Sequence, residues 1–236
     1  MREAQEGVIK FAYEHNSGVL KAPRELLLEL MAWRAVLREL TLIGRETGLY
    51  DDAGYGNVSA RLPPFQAEKG QRRFIITGTQ TGGLACTTEQ NFCLIEAYDT
   101  RKNQVQSSGP ALPSSESMTH GTVYDLDSRI RFVFHGHARL IWPLARELSL
   151  PLTRANVAYG TPEMAQEVVR LYRESSLADD KVFAMGGHED GIVSFGETAA
   201  EAGSRLLNTL VRARMQQGQV DQRICDNRPD SKSSVL

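Results

Sequence analysis

The sequence lacks the features that mark nucleic-acid-binding and membrane proteins. Its 236 residues carry 27 Lys and Arg against 29 Asp and Glu, so no excess of positive charge is available to neutralise a phosphate backbone. No stretch approaches the roughly 20 apolar residues that a membrane span needs. Charged residues also interrupt positions 1–20, where a signal peptide would need an apolar run. We therefore expect a cytoplasmic protein with neither nucleic acid nor a membrane among its partners.

Cysteine is scarce as well. The three cysteines, Cys86, Cys93 and Cys225, are odd in number and lack the close spacing of a zinc knuckle or a redox motif. This argues against a disulfide framework and fits a reducing compartment. The rest of the composition, with 41% hydrophobic and 24% charged residues, is ordinary for a globular protein and is enough to close one sizeable core.

Helical and extended patterns alternate along the chain, which predicts an α/β layered domain. The clearest helix is 23–42, where apolar residues recur at three- and four-residue steps behind Pro23. Further helices are predicted at 114–124, 141–148, 161–175 and 198–217, and strands at 57–62, 73–77, 90–97, near 105 and at 130–134. We divide the chain into an N-terminal extension (1–22), one domain (23–218) and a polar, flexible C-terminal tail (219–236).

Three of the five histidines are placed as metal ligands would be. His135 and His137 follow an apolar run as HGH, and residues two apart on a strand face the same side, so both rings can enter one pocket. His188 also follows a short apolar segment, beside glycines that allow a tight turn. Three imidazoles leave the fourth position of a catalytic zinc ion open to water or substrate. The alternative is that these residues are polar strand ends, and we expect His15 in an exposed turn.

A carboxylate and several polar loops would complete such a site. Glu116 and His120 are four residues apart, so a helix places them on one face, where Glu116 could ligate a metal or transfer a proton. The alternative is an ordinary pair on the helix surface, which we favour for His120. The loops at 54–59, 77–83 and 113–116 offer backbone N–H groups and hydroxyls that suit a phosphate. For Ser114 and Ser115, helix capping is the competing interpretation.

Together these segments resemble the class II aldolase and adducin-head family, which includes fuculose-phosphate aldolase and ribulose-phosphate 4-epimerase. The resemblance extends over residues 24–214 in the family's order. It rests on the segments GNVSARL, ITGTQTGG, PSSESMTH, VFHGHA, YGTPEMA and GGHEDGIVSFGETAAEA. It implies a three-layer αβα sandwich around a mixed, largely antiparallel sheet, assembled as a homotetramer with active sites at subunit interfaces.

The resemblance also implies roles for individual residues. Glu116 would be the acid/base and would ligate the metal in the resting state, together with His135, His137 and His188. Zinc is the expected metal, with Mn²⁺, Co²⁺ or Fe²⁺ admitted by the same ligands. A phosphate group would be bound by Asn57, Thr77, Gly78, Ser114 and Ser115. The tail after Gly218 lacks the tyrosines that aldolases use, and we take Tyr159 as the substitute proton donor.

The implied chemistry is that of a zinc-dependent lyase, which cleaves a carbon–carbon bond of a small sugar or sugar-phosphate through a metal-stabilised enediolate. Two alternatives stay open. The loop reads TGTQTG where sugar-phosphate members often have T-P-S-G, which favours a decarboxylase or dehydratase of a related sugar acid or ketose and makes a phosphorylated substrate less expected. The other alternative is a non-catalytic, adducin-like module, although adducin heads lack the competent metal set that this chain keeps. The sequence does not name the substrate.

Overall fold

The computed structural model describes residues 8–226, which form one sheet with helices on both faces. The strands are β1 (Ala12–Ser17), β2 (Asn57–Arg61), β3 (Phe74–Thr77), β4 (Phe92–Asp99), β5 (Gln104–Gly109), β6 (Phe132–His137), β7 (Val182–Ala184) and β8 (Gly191–Gly196). The helices are α1 (Arg24–Glu39), α2 (Ser117–Leu126), α3 (Pro162–Glu174), α4 (Leu177–Asp180) and α5 (Ala199–Asp226). The sheet order is β1-β5-β4-β3-β2-β6-β8-β7, and all neighbouring strands are antiparallel except β1 and β5.

Strand alternation divides the core into two layers, one on each face of the sheet. Ile75 and Phe134 pack with the apolar side chains of α1 and α5, whereas their neighbours Ile76 and Val133 pack with those of α2 and α3. All four residues are fully buried. The predicted three-layer αβα sandwich with a mixed, largely antiparallel sheet is therefore confirmed.

Local sequence signals set where the helices begin. α3 starts at Pro162, whose missing N–H is not needed in a first turn, and Thr161 Oγ1 accepts the N–H of Met164 as the N-cap. α1 also follows a proline and buries one apolar stripe against the sheet, formed by Leu27, Leu30 and Leu37. No helix within residues 8–226 is long and apolar enough to cross a membrane.

Two predicted helices differ from the structure. The helix predicted at 141–148 is a single 3₁₀ turn, Trp142–Leu144, followed by turns. Pro143 supplies no amide N–H, and the segment closes mostly i→i−3 bonds, such as the one from the Ala145 N–H to the Trp142 carbonyl. The last helix, α5, extends to Asp226 instead of ending at 217. The outer parts of the predicted extension and tail, 1–7 and 227–236, lie outside the described residues.

The N-terminal extension contributes an edge strand, β1, which the sequence pattern did not predict. It pairs in parallel with β5. His15, which we expected in an exposed turn, lies on β1 and is half-buried, with its ring bonded to Ser107 Oγ (3.0 Å) and to the Gly109 carbonyl (3.1 Å). Because almost every side chain of β1 is exposed, the strand shows no alternation of apolar and polar residues that could reveal it.

Buried Arg34 on α1 holds the loop that follows β3. Its Nη2 atom donates to the carbonyl oxygens of Thr81 (2.7 Å), Gly82 (3.1 Å) and Leu84 (2.9 Å). We predict that Arg34→Met lowers the free energy of unfolding by about 2–4 kcal/mol, because it leaves buried carbonyls without donors. Urea unfolding measures this effect. Arg38→Met, at an exposed position of the same helix, should change stability by less than about 0.5 kcal/mol, and equal losses in both variants would contradict the role of Arg34.

Candidate metal centre

The two histidines of β6 reach one pocket because the strand alternates. His135 and His137 share the parity of Val133 and lie on the sheet face that α2 and α3 cover, 1% and 2% exposed. Gly136 faces the opposite side, where a Cβ would lie 2.8 Å from the carbonyl oxygen of Leu42. The HGH sequence therefore places two imidazoles on one face of the sheet and leaves room on the other face for the backbone at Leu42.

His188 completes a cluster of three histidines. It lies in the turn between β7 and β8, where the N–H of Gly191 donates to its carbonyl oxygen (2.9 Å). One ligating nitrogen from each of His135, His137 and His188 lies within 4.8 Å of the other two, and all three residues are buried. The rings contact one another, with centroids 4.8 to 5.2 Å apart. The structure thus brings together the three histidines that the sequence singled out.

The donor set of this cluster fits a divalent transition metal. His135 Nδ1 lies 3.1 Å from the Ile192 carbonyl oxygen. Since a carbonyl oxygen can only accept a hydrogen bond, Nδ1 carries the proton and the lone pair of the ring is on Nε2. His188 Nδ1 lies 3.3 Å from Glu116 Oε1, and a carboxylate in this position orients an imidazole that ligates through its other nitrogen. Nitrogens bound to one zinc ion lie roughly 3.3 Å apart, so small ring rotations would close the cluster around the ion.

The electrostatics of the cluster favour a neutral ring and an ionised carboxylate. Burial, followed by the charges of His188 and His135, holds the pKa of His137 well below its usual range, so this ring stays neutral as ligation requires. Burial of Glu116 opposes its ionisation, but the hydrogen bond from His188 and the charges of His188 and His135 outweigh burial and lower its pKa to about 2. The Glu116 carboxyl group is therefore ionised near neutral pH, and a carboxylate at this place would suit a cation.

His120 is not the helix-surface residue that we expected. It is fully buried on α2, one turn after Glu116. Its Nδ1 atom lies 2.7 Å from Ser59 Oγ, which also contacts the Tyr124 hydroxyl at 2.6 Å. Its Nε2 atom has no hydrogen-bond partner among the residues that the structure describes. The surface interpretation was wrong because the sheet and α3 cover α2, so nearly the whole helix is buried.

Burial of His120 predicts that acid destabilises the protein. Burial, and then the charge of His135, lowers the pKa of His120 to about 3, against a small opposite effect of Glu116. An unfolded histidine titrates near pH 6.5. Between these values the unfolded state binds the extra proton, so the free energy of unfolding falls as the pH drops from 6.5 towards 3, by a total on the order of 5 kcal/mol.

The variant His120→Gln isolates this contribution, because glutamine does not titrate and keeps a polar group near Ser59. Urea unfolding between pH 4.5 and 7.5 should show a flatter pH dependence in His120→Gln than in the wild type. Burial raises the pKa of Asp125 to about 6, so its contribution to stability has the opposite pH dependence. Asp125 is present in both proteins, and its contribution therefore cancels in the comparison. Parallel profiles would contradict the assignment to His120.

The residues predicted to bind phosphate lie in one corner beside the histidines, except Thr77. Asn57 Nδ2 donates to Ser114 Oγ (3.0 Å), and the Glu116 N–H donates to the same oxygen (3.3 Å). Thr77 Oγ1 instead accepts the N–H of Val58 within the sheet (3.2 Å). The corner is lined by 54–57, 78–82, 114–116 and His135. Asn57, Gly78, Ser114 and Ser115 are therefore brought together, and Thr77 supports the strand behind them.

Tyr159, the predicted proton donor, packs directly against the cluster. Its ring stacks on His188, with centroids 4.4 Å apart and planes inclined by 29°, and the residue is buried. Lys10, from the N-terminal extension, places its ammonium nitrogen 3.4 Å from the centroid of the same ring. The location of Tyr159 fits a role at this site, and proton donation by its hydroxyl stays a prediction.

Three further residues beside the cluster were not predicted from the sequence. Tyr50 and Tyr55 pack against His137, with ring centroids at 4.5 and 5.1 Å. The Tyr50 hydroxyl donates to Asp190 Oδ2, and burial together with this bond raises the pKa of Tyr50 above its usual range. Tyr50 lies outside the loops that we singled out, whereas Tyr55 lies in the loop 54–59, which we interpreted only as a candidate phosphate-binding loop. The sequence feature that could have indicated them is the occurrence of two tyrosines among turn residues just before GNVS.

Comparison with known protein families agrees with this geometry. The model of the class II aldolase and adducin N-terminal domain matches residues 46–216, which include all three clustered histidines and Glu116. The chain belongs to this family. No curated protein sequence matches it significantly.

Solved structures of other proteins share the fold of this chain. A sugar-phosphate aldolase from Thermotoga maritima has a TM-score of 0.61 at 17% identity, with 89% of this chain and 99% of that chain covered. For L-fuculose-1-phosphate aldolase from Thermus thermophilus, the TM-score is 0.59 at 20% identity, with 90% and 100% covered. YgbL from Escherichia coli, described as a candidate aldolase/epimerase/decarboxylase, has a TM-score of 0.57 at 16% identity, with 90% and 93% covered. At such identities the likeness shows the fold and leaves the reaction open.

Proposed function

We propose that the protein is a zinc-dependent lyase of the class II aldolase type, which cleaves a carbon–carbon bond of a small sugar or sugar-phosphate. One observation carries the proposal: the buried cluster of His135, His137 and His188 with the Glu116 carboxylate 3.3 Å from its third member. Burying four polar side chains together is unfavourable unless hydrogen bonds or a bound ligand compensate, and a bound cation would do so here. A non-catalytic module would not need this arrangement.

The chain's own residues provide metal binding and proton transfer. His135, His137 and His188 would hold the ion, which would supply positive charge close to the substrate oxygens where carbon–carbon cleavage leaves negative charge. Glu116 moves the proton at the carbon next to the carbonyl group. Its pKa is low while His188 donates to it, but burial alone would raise that pKa. We propose that the carboxyl group accepts and returns this proton during turnover.

Other residues of the site orient the substrate. We propose that the Tyr159 hydroxyl transfers the proton at the oxygen of the aldehyde product, because its ring lies against His188. Asn57, Ser114 and Ser115 would orient the substrate through hydrogen bonds at the start of α2. Exposed apolar side chains on α5, Val211 and Met215, support self-association, and we propose a cytoplasmic homotetramer.

Decarboxylation or dehydration of a related sugar acid or ketose is the second candidate. The altered loop TGTQTG favours it, because Gln80 occupies the corner where phosphorylated substrates would be held. Both reactions use the same metal centre and differ in the bond that breaks.

Product analysis distinguishes the two reactions. The zinc-loaded protein is incubated with a panel of free and phosphorylated ketoses and sugar acids, and released aldehyde, carbon dioxide and dehydrated product are measured separately. Aldehyde release that disappears in His135→Ala supports the aldolase. Carbon dioxide or a dehydrated ketone without aldehyde overturns it in favour of the second candidate.

A further inference from the structure

The corner that would receive a phosphate group is nearly filled. It lies between two glycine-containing loops, 54–57 and 78–82, and the start of α2. Its free volume is about 10 Å³, which is barely room for one water molecule. A phosphoryl group brings three acceptor oxygens, so it cannot enter unless a side chain or a loop moves.

Gln80 is the side chain that joins the two loops. Its Oε1 atom accepts the N–H of Gly54 (2.9 Å) at the exposed edge of the corner. The loops also touch through their backbones, since a Cβ on Gly54 would lie only 3.2 Å from the Gln80 carbonyl oxygen. The bond from Gln80 therefore closes the corner and occupies a backbone N–H of the kind that binds phosphate.

Three other donors of the loop after β3 are engaged within the protein. The N–H of Gly78 donates to the Asn91 carbonyl (2.8 Å), and the N–H of Thr79 donates to the Leu112 carbonyl (3.2 Å). The Thr81 hydroxyl donates to the Gly78 carbonyl (2.7 Å). A phosphate that used these three donors would first have to break their bonds within the protein.

We propose that Gln80 is a specificity-determining residue that closes this corner to a phosphoryl group, so that the metal centre acts on an unphosphorylated sugar. The inference rests on the proposed lyase function and narrows its substrate class. Ser114 and Ser115 lie in the same corner. Their hydroxyls both donate and accept hydrogen bonds, which matches the hydroxyl groups of a free sugar.

The backbone of Gln80 allows a clean test of this proposal. Its φ of +58° lies in the left-handed region that favours glycine. Gln80→Gly removes the side chain and suits the backbone at the same time, so the variant should fold and melt close to the wild type. Gln71→Gly, at an exposed glutamine in the loop before β3, is the matched control.

The experiment measures binding of inorganic phosphate to the purified full-length proteins by isothermal titration calorimetry. We expect Gln80→Gly to bind phosphate at least about tenfold more tightly than the wild type, because the anion no longer displaces a side chain and its hydrogen bond. Gln71→Gly should bind as the wild type does. Adding Ser114→Ala to Gln80→Gly should remove the gain, since it deletes a hydroxyl of the same corner.

Several results would overturn the proposal. Equal phosphate affinity in the wild type and Gln80→Gly, whether both bind or neither does, means that Gln80 is not the barrier. A gain that survives Ser114→Ala places the phosphate elsewhere. Phosphate binding is measured without turnover, so its result does not depend on lyase activity. A protein that lacks metal or lyase activity would contradict the proposed function, and the phosphate affinities would still test the role of Gln80.

Discussion

Removing the imidazole of His135 is expected to abolish both metal binding and turnover. The wild-type protein should carry about one zinc ion per subunit. His135→Ala should weaken zinc binding by more than about 100-fold, beyond the loss caused by removing an outer-shell partner, because it deletes one of the three imidazoles of the cluster. Elemental analysis of untagged protein, with circular dichroism to confirm folding, measures the effect.

His15→Ala is the matched control for this experiment. Both ring nitrogens of His15 are hydrogen-bonded within the protein. Unlike His135, however, His15 lies on the edge strand β1 and outside the cluster. The control should retain the wild-type zinc content and turnover. A wild-type protein without stoichiometric metal, or a His135→Ala protein that keeps its zinc, would remove the basis of the lyase proposal and favour the non-catalytic module.

Glu116→Gln is expected to lower turnover by about 10²–10⁴-fold while the metal stays bound. Glutamine has the shape of glutamate but cannot hold the transferred proton. The three histidines remain to ligate the metal, although the carboxylate contact with His188 is lost. Steady-state kinetics on the cleaved substrate, together with metal analysis of the same samples, separates the loss of proton transfer from a loss of metal.

Glu174→Gln, at an exposed position near the end of α3, is the control and should leave both turnover and metal content unchanged. Wild-type turnover in metal-loaded Glu116→Gln would exclude Glu116 as the acid/base. If Glu116→Gln instead loses its metal, Glu116 is a ligand in the sense that the family resemblance implies. The effect of Glu116→Gln on proton transfer would then need to be measured at saturating zinc.

The elements that the sequence predicted well are those with strong local patterns. α1 and α3 were correct to within a few residues because each combines an apolar stripe with a proline near its first turn. The pairing of His135 and His137 on one face followed from the two-residue period of a strand. The 141–148 segment failed because its apolar residues suggest an α-helix, whereas its hydrogen bonds close a 3₁₀ turn.

The residues that were missed depend on contacts between distant parts of the chain. β1 has no apolar alternation and forms because β5, more than 90 residues later, offers an edge. Tyr50 meets Asp190 across 140 residues. His120 was placed on the surface because its helix neighbours do not reveal that both the sheet and α3 cover α2. None of these contacts has a signature within a local window of sequence.

By itself, the sequence determined the α/β class and the candidate histidines, because strand alternation, helix starts and the HGH and GGH motifs are local properties of the chain, and the resemblance of its motifs to a known family indicated the rest of the fold. Only the tertiary structure decided that His188 joins the pair on β6, that Glu116 lies against His188, that His120 is buried and that Gln80 is hydrogen-bonded to Gly54. Each of these depends on how β6, the β7–β8 turn and the loops before α2 approach one another, and that approach is set by packing of the two cores on either side of the sheet.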